Sequence, residues 1–389
     1  MRQQGGGAGR SPVRQSVALP PGIARDLLPL TAEDGAAIDA VLYAQRRSAP
    51  RTALVLMHPT VSFHHHYAAS PLADRGFAVL CCNPRFAGNE ANLIMEQVIL
   101  DLAAGVRHLR EDGFERVVLI GNSGGGALAA LYQAEAEGAT IRSTPAGRPP
   151  DLTRALLPAA DALVVLNAHR GRAQVLTSWL DPAVVDETDP LAGDPGLDLF
   201  AADRRVPYDR GFVAAYRAAQ AARNHRITAW VRARLAEAAA AGVADLAFTV
   251  HRTAADPRFL DTSLDPSDRE PGTYWGPDVR AANYAAAGLG RQTTLHSWLS
   301  QWSLEASQAA AEPNLARVSV PLLVVQGTAD QGIFPSDVRA VFEAARMEDR
   351  QLHWIPEGSH YFLGQPEHQR LVFDLLERWL GERGMGARR

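Results

Sequence analysis

Hydrophobic and polar positions fall into blocks along this chain. Unbroken apolar runs recur at Thr52–Met57, Gly76–Cys82, Val117–Ile120, Ala162–Leu166 and Pro321–Gln326. Short runs without polar alternation predict strands buried on both faces. Helical spacing lies between them. Across Glu90–Arg110, Ile94, Val98, Leu102 and Val106 recur every four residues, and Gly113 ends the pattern. Gly124–Glu137, Ser336–Arg346 and Pro366–Leu380 read as further helices. Leu352–Ile355 reads as a strand that Gln351 and His353 make less buried. Ahead of the first run, Arg25–Leu30 and Ala37–Tyr43 flank Glu33-Asp34-Gly35, which predicts a hairpin. Strands alternating with helices predict an α/β fold, a mostly parallel sheet with helices on both faces.

The alternation stops in the middle. From Gly171 to Glu312 there is no buried-strand run. Val213–Ala240 has helical spacing, as does Asp278–Ala311 with breaks at Gly288 and Gly290. Arg252–Gly276 is rich in Asp, Pro, Ser and Thr and reads as loop. The expected organisation is a disordered tail over 1–17, a first core part over 18–170, a mostly helical insertion over 171–315, and a second core part over 316–389. Five of the seven tryptophans lie in the insertion: Trp179, Trp230, Trp275, Trp298 and Trp302. They either fill its own small core or line an apolar cleft. Trp298 and Trp302 are the candidate pocket residues.

Composition removes several classes. Lys plus Arg is 39 against 43 Asp plus Glu, a net charge of -4. That leaves no basic footprint for nucleic acid and no polybasic membrane anchor. No apolar stretch reaches the ~18 residues that span a bilayer. Met1–Val17 is rich in Gly, Gln and Arg and lacks the apolar segment of a secretory signal, so a cytoplasmic protein is expected. Cys81 and Cys82 are neighbours in an apolar run. They would point to opposite faces of a strand, which strains a bridge and predicts two buried thiols. His64-His65-His66 is a conspicuous run. Zinc needs about three or four placed ligands, and no cysteine pair or acidic cluster lies near these histidines. They are expected in a loop or pocket wall, with no metal and no cofactor. Gly138–Leu157, with Pro145, Pro149 and Pro150, is long for a connection and suits an edge loop or a subunit contact.

The chemistry concentrates at Gly121-Asn122-Ser123-Gly124-Gly125, a G-x-S-x-G placed directly after a predicted strand and directly before a helix. A turn that tight forces the serine into an unfavourable backbone conformation, and the flanking glycines keep side chains out of it. The serine oxygen then projects above the carboxyl end of the sheet, beside free N–H groups of the helix. A serine hydroxyl needs a base to act as a nucleophile. Gly327-Thr328-Ala329-Asp330 follows one late strand, and Glu357-Gly358-Ser359-His360 follows the last. Asp337, His353 and His368 are weaker candidates, each inside or at the start of a predicted element.

These segments together resemble the α/β-hydrolase-fold serine hydrolases, in the esterase- and lipase-like branch with a helical lid. The resemblance covers about Arg25 to Leu380 apart from the insertion. It implies a catalytic triad of Ser123, Asp330 and His360, in the family's order along the chain. It implies an oxyanion site made of the Gly124 N–H and a second backbone N–H after Met57. Family members commonly have His-Gly there. This chain has His58-Pro59-Thr60, and Pro59 cannot donate, so Thr60 is the expected donor and Val61 the fallback. Asn83-Pro84-Arg85-Phe86-Ala87-Gly88-Asn89 partly matches the family's D-x-R-G-x-G, through Arg85 and Gly88. His169, after the strand before the insertion, either faces the pocket or is a hydrogen-bonded structural histidine.

The implied reaction is hydrolysis of a carboxylic ester or thioester through an acyl-enzyme on Ser123. The partner is a small, apolar acyl compound, because the insertion is rich in aromatics. An amide, a lactone or an activated carbon–carbon bond are the alternatives for the same triad. Ser123 excludes the aspartate-nucleophile relatives that act on epoxides or haloalkanes. From another class, a non-catalytic ligand-binding protein can use the same fold. The sequence does not indicate an oligomeric state.

Overall fold

A computed structural model describes residues 19–46 and 50–387. The tail expected over 1–17 lies outside them. The predicted hairpin is β1 (Ile23–Thr31) and β2 (Ala37–Gln45), paired antiparallel. The apolar runs form β3 (Thr52–Met57), β4 (Ala78–Asn83), β5 (Arg116–Asn122) and β6 (Ala162–Leu166). Two short insertion strands, β7 (Ala247–Thr249) and β8 (Gln292–Thr294), pair with each other apart from the main sheet. β9 (Leu322–Gly327) and β10 (Arg350–Ile355) complete the set. The main sheet has eight strands in the order β1-β2-β4-β3-β5-β6-β9-β10. β2 meets β4 antiparallel, and every pair from β4 to β10 is parallel.

The helices cover both faces, as continuous apolar strands require. One face packs under α2 (Met95–Glu111) and α3 (Gly125–Glu137), with Val98, Leu102, Val106 and Leu128 against Val55, Leu80 and Leu119. The other packs under α1 (Ala69–Asp74) and the last helix, Pro366–Glu382, with Leu72, Phe373, Leu376 and Trp379 against Leu54, Val79 and Val118. Cys81 and Cys82 are both buried and free, and they belong to opposite faces. The Arg85 guanidinium sits between Asp101, which is buried, and Asp34, so the partial D-x-R-G-x-G match serves an ion-pair network. Among the described residues, no helix is long and apolar enough to cross a membrane.

Between β6 and β9 the chain forms the insert. Its main elements are α4 (Arg172–Trp179), α5 (Arg210–Ala240) and the β7–β8 ribbon. The helix expected over 278–311 is not continuous. It divides into a turn of helix at Val279–Tyr284, β8, and a π-helical turn at Trp298–Trp302. Gly290 at φ 69° lies in a conformation that a helix cannot continue through. Buried ion pairs hold the insert together. Asp256 lies between Arg217 and Arg258, and Asp181 pairs with Arg252. Arg223, fully buried, reaches Glu187.

The insert is joined to the core by Glu96, a buried residue in the first turn of α2. Ser300 Oγ donates to its carboxyl (2.7 Å), as does Gln308 Nε2 (3.2 Å). Burial without a cationic partner raises the Glu96 carboxyl to about 7, and these hydrogen bonds only partly oppose that. The folded state therefore holds this proton more tightly than the unfolded chain. Stability from this residue is full below the unfolded value near 4.5 and is lost as pH rises through about 7. Glu96→Gln should be flatter across that window. The difference between the two urea-unfolding curves should open by ~3 kcal/mol from pH 4 to pH 8.

Candidate active site

Five loops meet at the carboxyl end of the parallel strands, where ligands bind in such sheets. Ser123 follows β5 at φ 56°, a left-handed conformation that is unfavourable for a serine. Its N–H is shared between the carbonyls of Leu166 (3.2 Å) and Asn167 (3.1 Å), which hold the turn. The surrounding glycines are required by space. A Cβ on Gly121 would lie 2.5 Å from the Gly125 carbonyl oxygen, and one on Gly125 would lie 2.5 Å from that of Met57.

The structure brings Ser123, His360 and Asp330 together. His360 Nε2 lies 2.9 Å from Ser123 Oγ, and His360 Nδ1 lies 2.7 Å from Asp330 Oδ2. Asp330 is almost completely buried and is saturated with donors. Its Oδ1 accepts from the Gly332 N–H (2.9 Å), the Ile333 N–H (3.0 Å) and the Tyr274 hydroxyl (2.6 Å). Its Oδ2 also accepts from Gln326 Nε2 (3.2 Å). Burial pushes this carboxyl up, but His360 and the hydrogen bonds outweigh it and leave it below the ordinary value. It is an acceptor placed to fix the tautomer of His360 and to stabilise an imidazolium. The competing Asp337 is engaged elsewhere, by Arg258 at 3.0 Å.

Two residues hold this arrangement that sequence reasoning did not place there. Asn167, at φ 41°, donates from Nδ2 to the His360 carbonyl (2.6 Å) and accepts at Oδ1 from the Gly327 N–H (2.7 Å). It ties the end of β6 to both the acid loop and the histidine loop. Tyr274 comes from the insert, on a turn bracketed by Gly272 and Gly276. Its ring lies 4.8 Å from that of His360, and its hydroxyl is 3.1 Å from His360 Nδ1. It fits only because position 332 has no side chain; a Cβ there would lie 2.2 Å from the ring. Trp179 lies 6.3 Å from its ring and also meets Trp275. A Tyr-Trp pair between two glycines, inside an otherwise polar loop, was the available sequence signal.

Other expected residues lie elsewhere. Trp298 and Trp302 do not line a pocket. Both are fully buried in the insert's own core with Leu176, Leu180 and Val231. Trp298 Nε1 donates to Thr228 Oγ1 (2.9 Å), and the Arg172 guanidinium lies over the Trp302 ring. The Thr60 N–H, expected to face an oxyanion, donates instead to His58 Nδ1 at 3.1 Å, and the Val61 N–H does the same at 3.0 Å. Gly124 caps the start of α3 directly after Ser123, and its N–H has no hydrogen-bond partner among the described residues. His169 is close enough to His360 and Asp330 to feel their charges. Its Nδ1 accepts from the Gly171 N–H (3.1 Å), and burial lowers it to about 3. The three consecutive histidines diverge. His64 pairs with Asp39, His65 meets the Tyr43 hydroxyl, and His66 bonds Asn122 Oδ1 at 2.8 Å. Among the described residues no group of His, Cys, Asp and Glu is arranged to hold a metal.

The sheet order and the position of this site define the α/β-hydrolase fold. The family model described as serine aminopeptidase S33 matches residues 271–367, the stretch that carries Asp330 and His360. Similar solved structures share the fold over most of their length. A hypothetical protein from Pseudomonas aeruginosa has a TM-score of 0.52 at 14% identity, covering 92% of this chain and 95% of that one. The protein DcsB, solved with a substrate analogue, has 0.51 at 15%, covering 92% and 99%. The α/β hydrolase GrgF from Penicillium sp. sh18 has 0.51 at 12%, covering 92% and 98%. No curated protein matches the chain in sequence.

Removing the Asn167 side chain strands the buried Gly327 N–H and leaves a left-handed position to an unsuited residue. Asn167→Ala should destabilise the protein by ~2–4 kcal/mol in urea unfolding, beyond the ordinary loss of one hydrogen bond.

Proposed function

We propose that the protein is a serine hydrolase that cleaves a carboxylic ester or thioester. The observation that carries the reading is the unbroken hydrogen-bonded line from Ser123 through His360 to Asp330. As Ser123 Oγ bonds to the carbonyl carbon, its proton passes to His360 Nε2 and the carbonyl π pair moves onto oxygen. The tetrahedral adduct collapses, the bond to the leaving group breaks, and that group takes the proton from His360. Water then gives a proton to His360 and attacks the acyl-enzyme. Collapse of this second adduct returns the proton to Ser123 and releases the acid. Asp330 keeps its charge throughout and stabilises the imidazolium. The Gly124 N–H is one donor to the oxyanion, from the start of α3.

The insert acts in this reading as a lid. It supplies Tyr274, Trp179 and Trp275, which make an aromatic wall beside His360. Tyr361 completes that wall. Burial raises its phenol, and a hydrogen bond with Ser123 opposes the shift. An aromatic wall suits an apolar acyl group of moderate size. An amide substrate is the second reading. It is favoured by the family model, whose name denotes an aminopeptidase and which spans the acid and histidine loops.

A p-nitrophenyl ester series of increasing acyl length, run beside aminoacyl p-nitroanilides, tests both. An optimum within the esters that disappears in Ser123→Ala supports ester cleavage. Turnover of the anilides alone moves the assignment to amides. No Ser123-dependent turnover and no labelling of Ser123 by a fluorophosphonate would reject both. Tyr274→Phe keeps the ring and loses one donor to Asp330. It should lower kcat by about 10-fold, the equivalent of one charge-assisted hydrogen bond.

A further inference from the structure

The oxyanion site needs a second donor, and the loop after β3 supplies it in an unusual way. Pro59 has no N–H, and the N–H groups of Thr60 and Val61 both point into His58 Nδ1. A ring nitrogen that accepts two N–H groups carries no proton, so the proton of the neutral His58 ring resides on Nε2. That nitrogen faces the residue after the nucleophile. A Cβ built on Gly124 would lie 2.6 Å from His58 Nε2, nearer to it than to any other atom. Among the described residues, His58 Nε2 has no hydrogen-bond partner, although the residue is only 6% exposed. A side-chain N–H thus lies against Gly124, the residue whose own backbone N–H is the first oxyanion donor in the reading above.

We propose that the His58 Nε2–H is the second oxyanion donor, paired with the Gly124 N–H. The inference rests on the hydrolase reading above and adds a catalytic residue to it. His58 acts only as a donor, and no proton leaves it during turnover. Its surroundings keep it in the required neutral form. Burial lowers its basicity well below the ordinary value, and the nearby Arg172, His169, His360 and His66 act in the same direction. The ring is held in place by its two backbone donors and by Phe63, whose ring lies 5.5 Å away. A side chain at Gly124 would press on the imidazole, since its Cβ would lie 2.6 Å from His58 Nε2.

Two amide side chains separate the roles of the two nitrogens. In His58→Asn, the carbonyl oxygen takes the place of Nδ1 and can still accept from Thr60 and Val61, but no donor reaches Gly124. In His58→Gln, the longer side chain can return an N–H to the place of Nε2. Wild type, both variants and Ser123→Ala would be assayed on the best ester of the series, with thermal unfolding as the check on folding. The expected result is a loss of about 10²–10³-fold in kcat for His58→Asn with little change in KM, and partial recovery in His58→Gln. A folded His58→Asn with wild-type kcat would overturn the proposal while leaving the Ser123 reading intact. Wild type with no Ser123-dependent turnover of ester or anilide and no fluorophosphonate labelling of Ser123 would overturn both. If His58→Asn does not fold, the wild-type imidazole N–H spectrum decides. The His58 Nε2–H resonance should move downfield in a boronic acid adduct of Ser123, and an unmoved resonance would refute the assignment.

Discussion

The left-handed backbone at Ser123 is the constraint around which this end of the molecule is built. A serine at φ 56° is held against an intrinsic penalty of ~1–3 kcal/mol. The opposing interactions are specific. Two carbonyls at the end of β6 share the Ser123 N–H, and Gly121, Gly125 and Gly126 let α3 lie almost in contact with β3 and β6. The strain therefore has a structural consequence beyond the turn. It requires β3, β5 and β6 to be in register and buried on both faces, which is what their continuous apolar runs achieve.

The same crowding spreads outward through backbone polar groups. Asn167, whose carbonyl helps to hold Ser123, uses its side chain to bind the Gly327 N–H and the His360 carbonyl. The nucleophile turn, the acid loop and the histidine loop are thus one hydrogen-bonded unit. Asp330 enters that unit with five donors around its two oxygens, one of them from the insert. A buried carboxylate satisfied to this degree stays ionised without a neighbouring arginine.

The insert obeys a different balance of forces. Its apolar core is small, and much of its cohesion comes from arginine–carboxylate pairs such as Asp256 with Arg217 and Arg258. Such pairs fix geometry more than they add stability, because desolvation offsets much of their attraction. The result is a framework that delivers Tyr274 onto Asp330 and seats Ser300 on Glu96. A pattern built on apolar periodicity carries little information about contacts of this kind, which is why Trp298 and Trp302 looked like pocket residues and proved to be core.

The strands of the core, their order of appearance, the serine turn and the loops bearing Asp330 and His360 were all legible from local pattern. Each depends on the chemistry of a few consecutive residues: an apolar run, a glycine-flanked serine, an acid or a histidine just past a strand. The breakdown of the helix expected over 278–311, the reach of Tyr274 and the use of Asn167 as a three-way tie were decided only in three dimensions. So was the direction of the Thr60 and Val61 N–H groups, which turn to His58 rather than to the nucleophile. The reason is physical. Periodicity reports which side of an element is buried, whereas hydrogen-bond direction and side-chain reach are set by partners brought from distant parts of the chain.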